Sequence, residues 1–289
     1  MQVLVNGTIN GLTIAVIALA FQLVYLPTNV FHVALAAVYV FTPFVAWAFL
    51  QGGATAPLAF ALALAAGVAL SFAVEHFNHA PLERRQASFS AQFISSLGIY
   101  VVVVQATALV WGNDQKVLRT SGDAIWKFGT VAITESQFWV VVGALVIFVS
   151  FFIWLRFTNV GLQFRALADN PKELAVRGFN IRNLRYTAFV ISGLIAAIMG
   201  LLTARDTGFW THGGLPVFLL AMVASIIGGR STFLGPVLGG LMLGVLRHQV
   251  EWHVNSRWVE AGTFLLLAAF LLFRPGGLLE RRARIEAQR

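Results

Sequence analysis

The sequence is dominated by apolar runs of about 20 residues, the length that an α-helix needs to cross the hydrocarbon core of a membrane. These runs recur along nearly the whole chain. Charged residues make up only 11% of the sequence, whereas an ordinary soluble domain carries about 25%. The sequence therefore predicts an all-α integral membrane protein, a polytopic helical bundle that forms a single transmembrane domain over residues 1–289.

Hydropathy predicts eight or nine transmembrane helices. The predicted spans lie near residues 9–28, 30–50, 57–77, 92–111, 137–156, 185–203, 215–229, 233–250 and 258–274. Pro27 precedes the second span and Pro43 lies inside it, which predicts a broken or kinked helix near residues 27–45. Freed backbone groups at membrane depth are tolerated only where protein or a water-lined path satisfies them. This region is therefore a candidate for the lining of a path.

The distribution of basic residues predicts the orientation. Fourteen of the 20 Lys and Arg residues fall in one set of predicted loops and six in the opposite set. Cytoplasmic loops carry the excess of Lys and Arg, so the larger set is predicted to be cytoplasmic. Residues 1–83 contain no Lys or Arg, which is consistent with an N-terminus outside, and nine spans would then return the C-terminus to the cytoplasm.

One polar and basic segment, residues 158–183, contains signals for a short helix. Asn170 is a predicted N-cap, Pro171 the first helical residue and Glu173 the residue that reaches back to the cap. Gly178 ends this helix of about two turns. Isolated helices shorter than about 12 to 15 residues are marginal in water, so we expect this one to dock on a cytoplasmic partner. The alternative is a solvated loop that only satisfies the positive-inside rule.

The chain lacks the chemistry of an energy-consuming enzyme. None of its three lysines, Lys116, Lys127 and Lys172, follows a glycine, so it contains no phosphate-binding G-x-x-x-x-G-K-[ST] loop. If ATP is used, a separate subunit must bind it. No group of carboxylates or Ser, His and Asp residues converges at one depth. We therefore predict a chain that is not an enzyme and binds no cofactor, and the positive net charge does not imply nucleic acid.

Ion coupling and metal binding also have weak support in the sequence. Ion-coupled carriers place ionisable residues within their spans, and Glu75 is the main charge found there. There is no cysteine, and His76-x-x-His79 lacks a third ligand for a metal. A metal site is therefore not predicted.

A few polar and small residues within the spans could serve either helix packing or function. Gln22 and Gln105 are predicted to form hydrogen bonds between helices. For His32, structural packing and a pore lining are equally supported. Glycines four residues apart, at 235, 239, 240 and 244, let helices approach closely, within the subunit or at a subunit interface.

Several stretches, in this order along the chain, resemble the permease family of branched-chain amino acid ABC importers, whose members also carry urea and amides. The most specific are F-R-A-L-A-D-N-P-K-E-L-A-V-R-G-F-N (164–180) and G-G-R-S-T-F-L-G-P-V-L-G-G (228–240). Supporting stretches are E-H-F-N-H-A-P-L (75–82), F-I-S-S-L-G (93–98) and R-P-G-G-L (274–278).

The resemblance implies a translocation subunit of an ATP-driven importer in the bacterial inner membrane. Its partners would be a second homologous permease, two ATPase subunits that bind ATP and Mg, and an extracytoplasmic solute-binding protein. The solute would be a branched-chain amino acid or a related amino acid or amide. The alternatives are an ion-coupled secondary carrier that acts without an ATPase, and a noncatalytic membrane scaffold.

The resemblance also assigns roles to residues. The cytoplasmic loop of about 157–184 would couple to the ATPase through Arg165, Ala168, Asp169, Asn170, Glu173, Ala175 and Gly178. Helix packing is assigned to Gly228, Gly229, Gly235, Gly239 and Gly240. Residues 30–39 would contribute to the translocation path. There His32 stands where the family usually has Asn, Leu35 where it has His, and Ala36 where it has Gly, so this chain departs from its relatives where the solute passes.

Overall fold

The computed structural model describes residues 1–118, 122–169, 171–229, 231–274 and 276–279. Its α-helices are α1 (Gln2–Thr28), α2 (Leu35–Gln51), α3 (Ala56–Val74), α4 (Ala80–Arg84), α5 (Phe89–Trp111), α6 (Glu135–Phe157), α7 (Asn159–Asp169), α8 (Pro171–Val176), α9 (Ile181–Asp206), α10 (Gly214–Gly228), α11 (Gly235–His253) and α12 (Val259–Phe273). A π-helical turn, Glu75–His79, joins α3 to α4, and a 3₁₀ turn, Ser256–Trp258, precedes α12. The protein is a helical membrane bundle, as predicted.

Each predicted span overlaps one helix of the described chain. Six helical stretches are long and apolar enough to cross a membrane: 2–28, 56–84, 89–111, 135–157, 181–206 and 256–273. The apolar helices α2 and α10 are shorter, and α11 carries charged residues in its second half. The exact number of crossings stays a prediction.

The centre of the bundle is formed by α1 and α9. In the most apolar part of each helix, 78% of the residues of α1 and 67% of those of α9 are buried. The corresponding share is 11% to 33% for the four peripheral stretches, which include α3, α5, α6 and α12. In a membrane, lipid covers such an apolar exterior, so α1 and α9 are the helices that hold the others together.

Small residues let α11 pack closely against two neighbours. A Cβ atom added to Gly240 would lie 2.5 Å from Cα of Ala15 on α1, and one added to Gly244 would lie 2.2 Å from Cα of Gly11. On its other side, a Cβ atom on Gly239 would lie 2.0 Å from the carbonyl oxygen of Ala224 on α10. The spacing of four therefore serves contacts within the subunit, one pair of glycines for each neighbouring helix.

The predicted break lies between two helices rather than inside one. α1 continues through Pro27, and Asn29 then adopts the left-handed conformation with φ of 53°. Residues 29–34 are not helical, and α2 begins at Leu35, five residues later than the predicted span. Pro43 is accommodated inside α2.

The two ends of the bundle carry different loops. At one end, a hairpin of β1 (Ile125–Phe128) and β2 (Val131–Thr134) meets the start of α1, where Gln2 bonds with the backbone of Ala132. At the other end, Leu26 of α1 lines the same groove as residues of α7 and α8 and Leu279. Because α1 runs about 40 Å at 1.5 Å per residue, the N-terminus and residue 279 lie at opposite ends. The hairpin was not predicted.

Candidate functional site

The helix α7 is an amphipathic element attached to the bundle. Phe164 and Leu167 are completely buried, and the Phe164 ring packs 5.2 Å from that of Trp154 at the end of α6. Gly161 approaches the same turn closely, since a Cβ atom there would lie 2.6 Å from Cα of Leu155. Only the short helix from Pro171 was predicted in this segment, although Phe164 and Leu167 are spaced by three residues as one helical face requires.

The short helix α8 ends as predicted. Gly178 has φ of 86°, its N–H donates to the carbonyl of Ala175, and the N–H of Phe179 donates to the carbonyl of Leu174. This pair of bonds is a Schellman motif. Leu174 is buried, and Glu173 forms an exposed ion pair with Arg177 at 2.5 Å. The predicted N-cap, Asn170, lies outside the described residues.

The chain itself stabilises this pair of short helices. A partner was expected to supply the missing stability, but Phe164, Leu167 and Leu174 already bury apolar surface against the bundle. The outer surface remains available. Of the residues assigned to ATPase coupling, Ala168 is half-buried, and the exposed ones are Arg165, Asp169, Glu173, Ala175 and Gly178.

A groove of about 1000 Å³ opens beside these helices. Its apolar part includes Leu26, Phe152 and Phe233, and charged side chains in α7, in α8 and just after α8 line another part. These charged side chains are Arg165, Asp169, Glu173 and Arg177. The groove is thus large enough for side chains of a partner and mixed enough to bind both apolar and charged groups.

The glycine-rich turn between α10 and α11 contributes residues 231–234 to the lining of this groove. A Cβ atom on Gly228 would lie 1.8 Å from the carbonyl oxygen of Gly235, so the backbones of the two helices touch there. The segment 276–279 is fastened to the same place, because the N–H of Leu278 donates to Ile227 and that of Leu279 to Gly228. Gly229 has φ of 109° and Gly277 has φ of 83°, which only glycine adopts without strain.

The residues assigned to the translocation path are buried inside the subunit. His32 and Leu35 are completely covered and Ala36 is 2% exposed. The N–H of Ala34 donates to Ser96 Oγ on α5 at 3.1 Å, so the F-I-S-S-L-G stretch satisfies a backbone group freed by the break. None of the three reaches the subunit surface in this conformation, and their assignment to the path stays a prediction.

Two buried histidines contact each other, one in the non-helical segment 29–34 and one in the π-helical turn. The rings of His32 and His79 are perpendicular, with centroids 5.6 Å apart, and both pack against Phe189. Their four ring nitrogens have no hydrogen-bond partner among the described residues. His76 is in a different environment, exposed and 3.0 Å from the Tyr186 hydroxyl through Nδ1. The His76-x-x-His79 pair is therefore split between surface and interior.

A buried ionic cluster lies next to these histidines. Arg185 donates from Nε to Glu75 Oε1 at 2.9 Å and from Nη2 to Glu75 Oε2 at 3.4 Å, and its Nη1 lies 2.6 Å from Glu83 Oε2. Glu75 was recognised from the sequence as a charge within a span, but its partner was not. A buried carboxylate in a span needs a cation, and that requirement was the only sign of Arg185, which is 110 residues away in sequence.

Of the two glutamines predicted to join helices, one does so. Ser225 Oγ on α10 donates to Oε1 of the completely buried Gln22 at 2.5 Å. Gln105 is exposed on α5, so the prediction for it is wrong within the subunit. The difference arises because α1 is central and α5 peripheral.

Comparison with known sequences groups the chain with permease components of transport systems. A family model described as "Branched-chain amino acid transport system / permease component" matches residues 3–273. The chain is 27% identical to the permease protein BraD of a high-affinity branched-chain amino acid transport system from Pseudomonas aeruginosa, over 97% of this chain and 96% of the relative. It is 23% identical to LivH of Escherichia coli over the same shares, and 21% identical to a probable LivH of Methanocaldococcus jannaschii over 96% and 91%. No solved structure matches the chain.

Proposed function

Because the chain belongs to the family of permease components of branched-chain amino acid transport systems, we propose that it is the membrane-spanning subunit of an ATP-driven importer. It moves a branched-chain amino acid or a related amino acid or amide across the inner membrane. ATP and Mg bind to partner subunits, and this chain supplies part of the path.

The observation that carries the coupling role is the pair α7 and α8. Buried side chains fix the two helices to α6 and to the centre of the bundle, while their charged outer surface stays exposed beside the groove. An element held in this way transmits a push from a partner to the bundle rather than bending away from it. The ATPase binds at this surface and in the groove.

The proposed complex contains two permeases, two ATPases and an extracytoplasmic binding protein. The basic residues support the orientation, since the described ones assigned to the cytoplasm lie in or beside α7 and α8, at the start of α9, or at the end of α4, α6 or α12, and the opposite end carries the hairpin. An N-terminus outside and residue 279 inside agree with the lengthwise course of α1. The path runs near the break at residues 29–34 and the start of α2. His32, Leu35 and Ala36, which differ from the usual residues of the family, set the choice of solute.

The test is uptake into vesicles that contain the purified complex. We expect the chain to co-purify with an ATPase and leucine uptake to require ATP and a binding protein. The alternative, an ion-coupled carrier, predicts uptake by this chain alone that needs only a proton or sodium gradient. That result, or a failure to recover any ATPase, would overturn the proposal.

A further inference from the structure

Three polar side chains meet on the outer surface at the start of α9. Arg182 Nη2 donates to the Tyr186 hydroxyl at 3.3 Å, and its guanidinium lies 5.5 Å from the centre of the Tyr186 ring. The same hydroxyl lies 3.0 Å from Nδ1 of His76. A guanidinium has five N–H donors, so this contact orients Arg182 and leaves other donors for a ligand.

Aromatic rings surround this group. The Phe72 ring stacks on His76 with centroids 5.8 Å apart and lies 5.1 Å from Tyr186. Phe77 is 78% exposed and contacts the His76 ring edge-on at 4.8 Å. Cations beside exposed aromatic rings are typical of the boundary between hydrocarbon and headgroups.

The position along α3 fits that boundary. Exposed positions 58, 62, 65, 69 and 72 are spaced by three and four residues, which places them on one face of the helix. His76 continues the face, about 30 Å from Ala56 at 1.5 Å per residue, and the hydrocarbon core is about 30 Å thick. The lipid-facing side of α3 therefore leads directly to His76.

The local charge is positive. Arg185, one turn after Arg182, pairs with both Glu75 and Glu83 and balances one of these two negative charges, so the other arginines nearby leave a net positive charge. Arg182 is exposed, as are Arg84 and Arg85 at the end of α4. Basic residues near a membrane surface attract anionic lipid.

We propose that His76, Arg182 and Tyr186 bind the phosphate of an anionic phospholipid, with Phe72 and Phe77 against its acyl chains. Arg182 supplies the charge, and Tyr186 and His76 hold the guanidinium in place and offer further polar contacts. The site does not depend on the identity of the solute or on the ATPase.

The proposal is tested by native mass spectrometry of the protein taken from nanodiscs of phosphatidylglycerol and phosphatidylcholine. We expect the parent to retain phosphatidylglycerol and Arg182→Gln to bind it about tenfold more weakly. Tyr186→Phe, which keeps the ring, should weaken binding by about threefold. The matched control is Arg257→Gln, an exposed arginine near the other end of the bundle, which should match the parent. Equal retention by Arg182→Gln and the parent would overturn the proposal.

Two further measurements identify the ligand source. Excess inorganic phosphate should not displace the lipid, and displacement would assign the site to free phosphate. Because the chain has no cysteine, Phe77→Cys accepts a single nitroxide label, which should collide more with oxygen than with a water-soluble nickel complex. A label that collides more with the nickel complex than with oxygen would place Phe77 in water and overturn the proposal. Loss of ATPase binding in Arg182→Gln with lipid retention unchanged would identify a protein-docking surface and would also overturn it.

Discussion

Arg185 and Glu75 form a buried ion pair between α9 and the π-helical turn, with Nε and Oε1 2.9 Å apart. Removing one partner leaves the other charge buried and unpaired, which typically costs about 3–5 kcal/mol. We therefore expect Arg185→Met to lower the free energy of unfolding by about that amount, measured by chemical or thermal unfolding of the purified protein in detergent.

The control for this pair is the double variant Arg185→Met with Glu75→Gln. It removes both charges, so it should be more stable than Arg185→Met alone. If the single and double variants unfolded alike, or if Arg185→Met matched the parent, the pair would not stabilise the fold.

The contact between α1 and α11 gives a second prediction. Gly240→Ala places a Cβ atom 2.5 Å from Cα of Ala15, and overpacking of this kind costs about 1–3 kcal/mol. Gly98→Ala on α5 is the matched control, because no atom lies within 4 Å of a Cβ there. We expect a lower unfolding midpoint for Gly240→Ala only. Equal unfolding midpoints for the two variants would mean that the contact between α1 and α11 does not require glycine at position 240.

Orientation gives a third prediction. Reporters inserted near Asp123 and fused after Arg289 should lie on opposite sides of the membrane, the first outside and the second in the cytoplasm. Alkaline phosphatase and green fluorescent protein fusions distinguish the two sides. An external C-terminal reporter would contradict the assignment of the larger set of basic residues to the cytoplasm.

The positions of most helices could be predicted from the sequence, whereas the hairpin, α7 and the long-range contacts could not. Apolar runs located the helices, and Gly178 marked the end of α8, because helix length and glycine conformation depend on nearby residues. The pairing of Glu75 with Arg185 and of His32 with His79 depends on how helices pack, which no spacing in the sequence records. The same limit explains Gln22 and Gln105, which look alike in sequence but lie in the centre and at the periphery.

His32 carries the fourth prediction. If its ring takes part in the path, His32→Ala should change the relative uptake of leucine and other amino acids while co-purification with the ATPase stays normal. Val33→Ala is the control, since Val33 is also buried and its truncation leaves a cavity without changing polarity. A change in stability with unchanged selectivity would assign His32 to structural packing, as its complete burial also allows.

The last prediction concerns the outer surface of α7 and α8. Ala175 is exposed on α8, so Ala175→Trp should not disturb the packing of Leu174 or Phe164 but should block a partner that approaches closely. We expect weaker co-purification with the ATPase and lower ATP-driven uptake, at a normal yield in the membrane. The pair Asn170→Ala with Glu173→Ala should act in the same direction, since loss of an N-cap typically costs about 1 kcal/mol, enough to loosen a short helix and too little to unfold the bundle. Ala124→Trp, exposed at the end that carries the hairpin, is the control. If Ala175→Trp and the double variant both bound the ATPase and transported like the control, these helices would serve only as a charged loop that sets orientation.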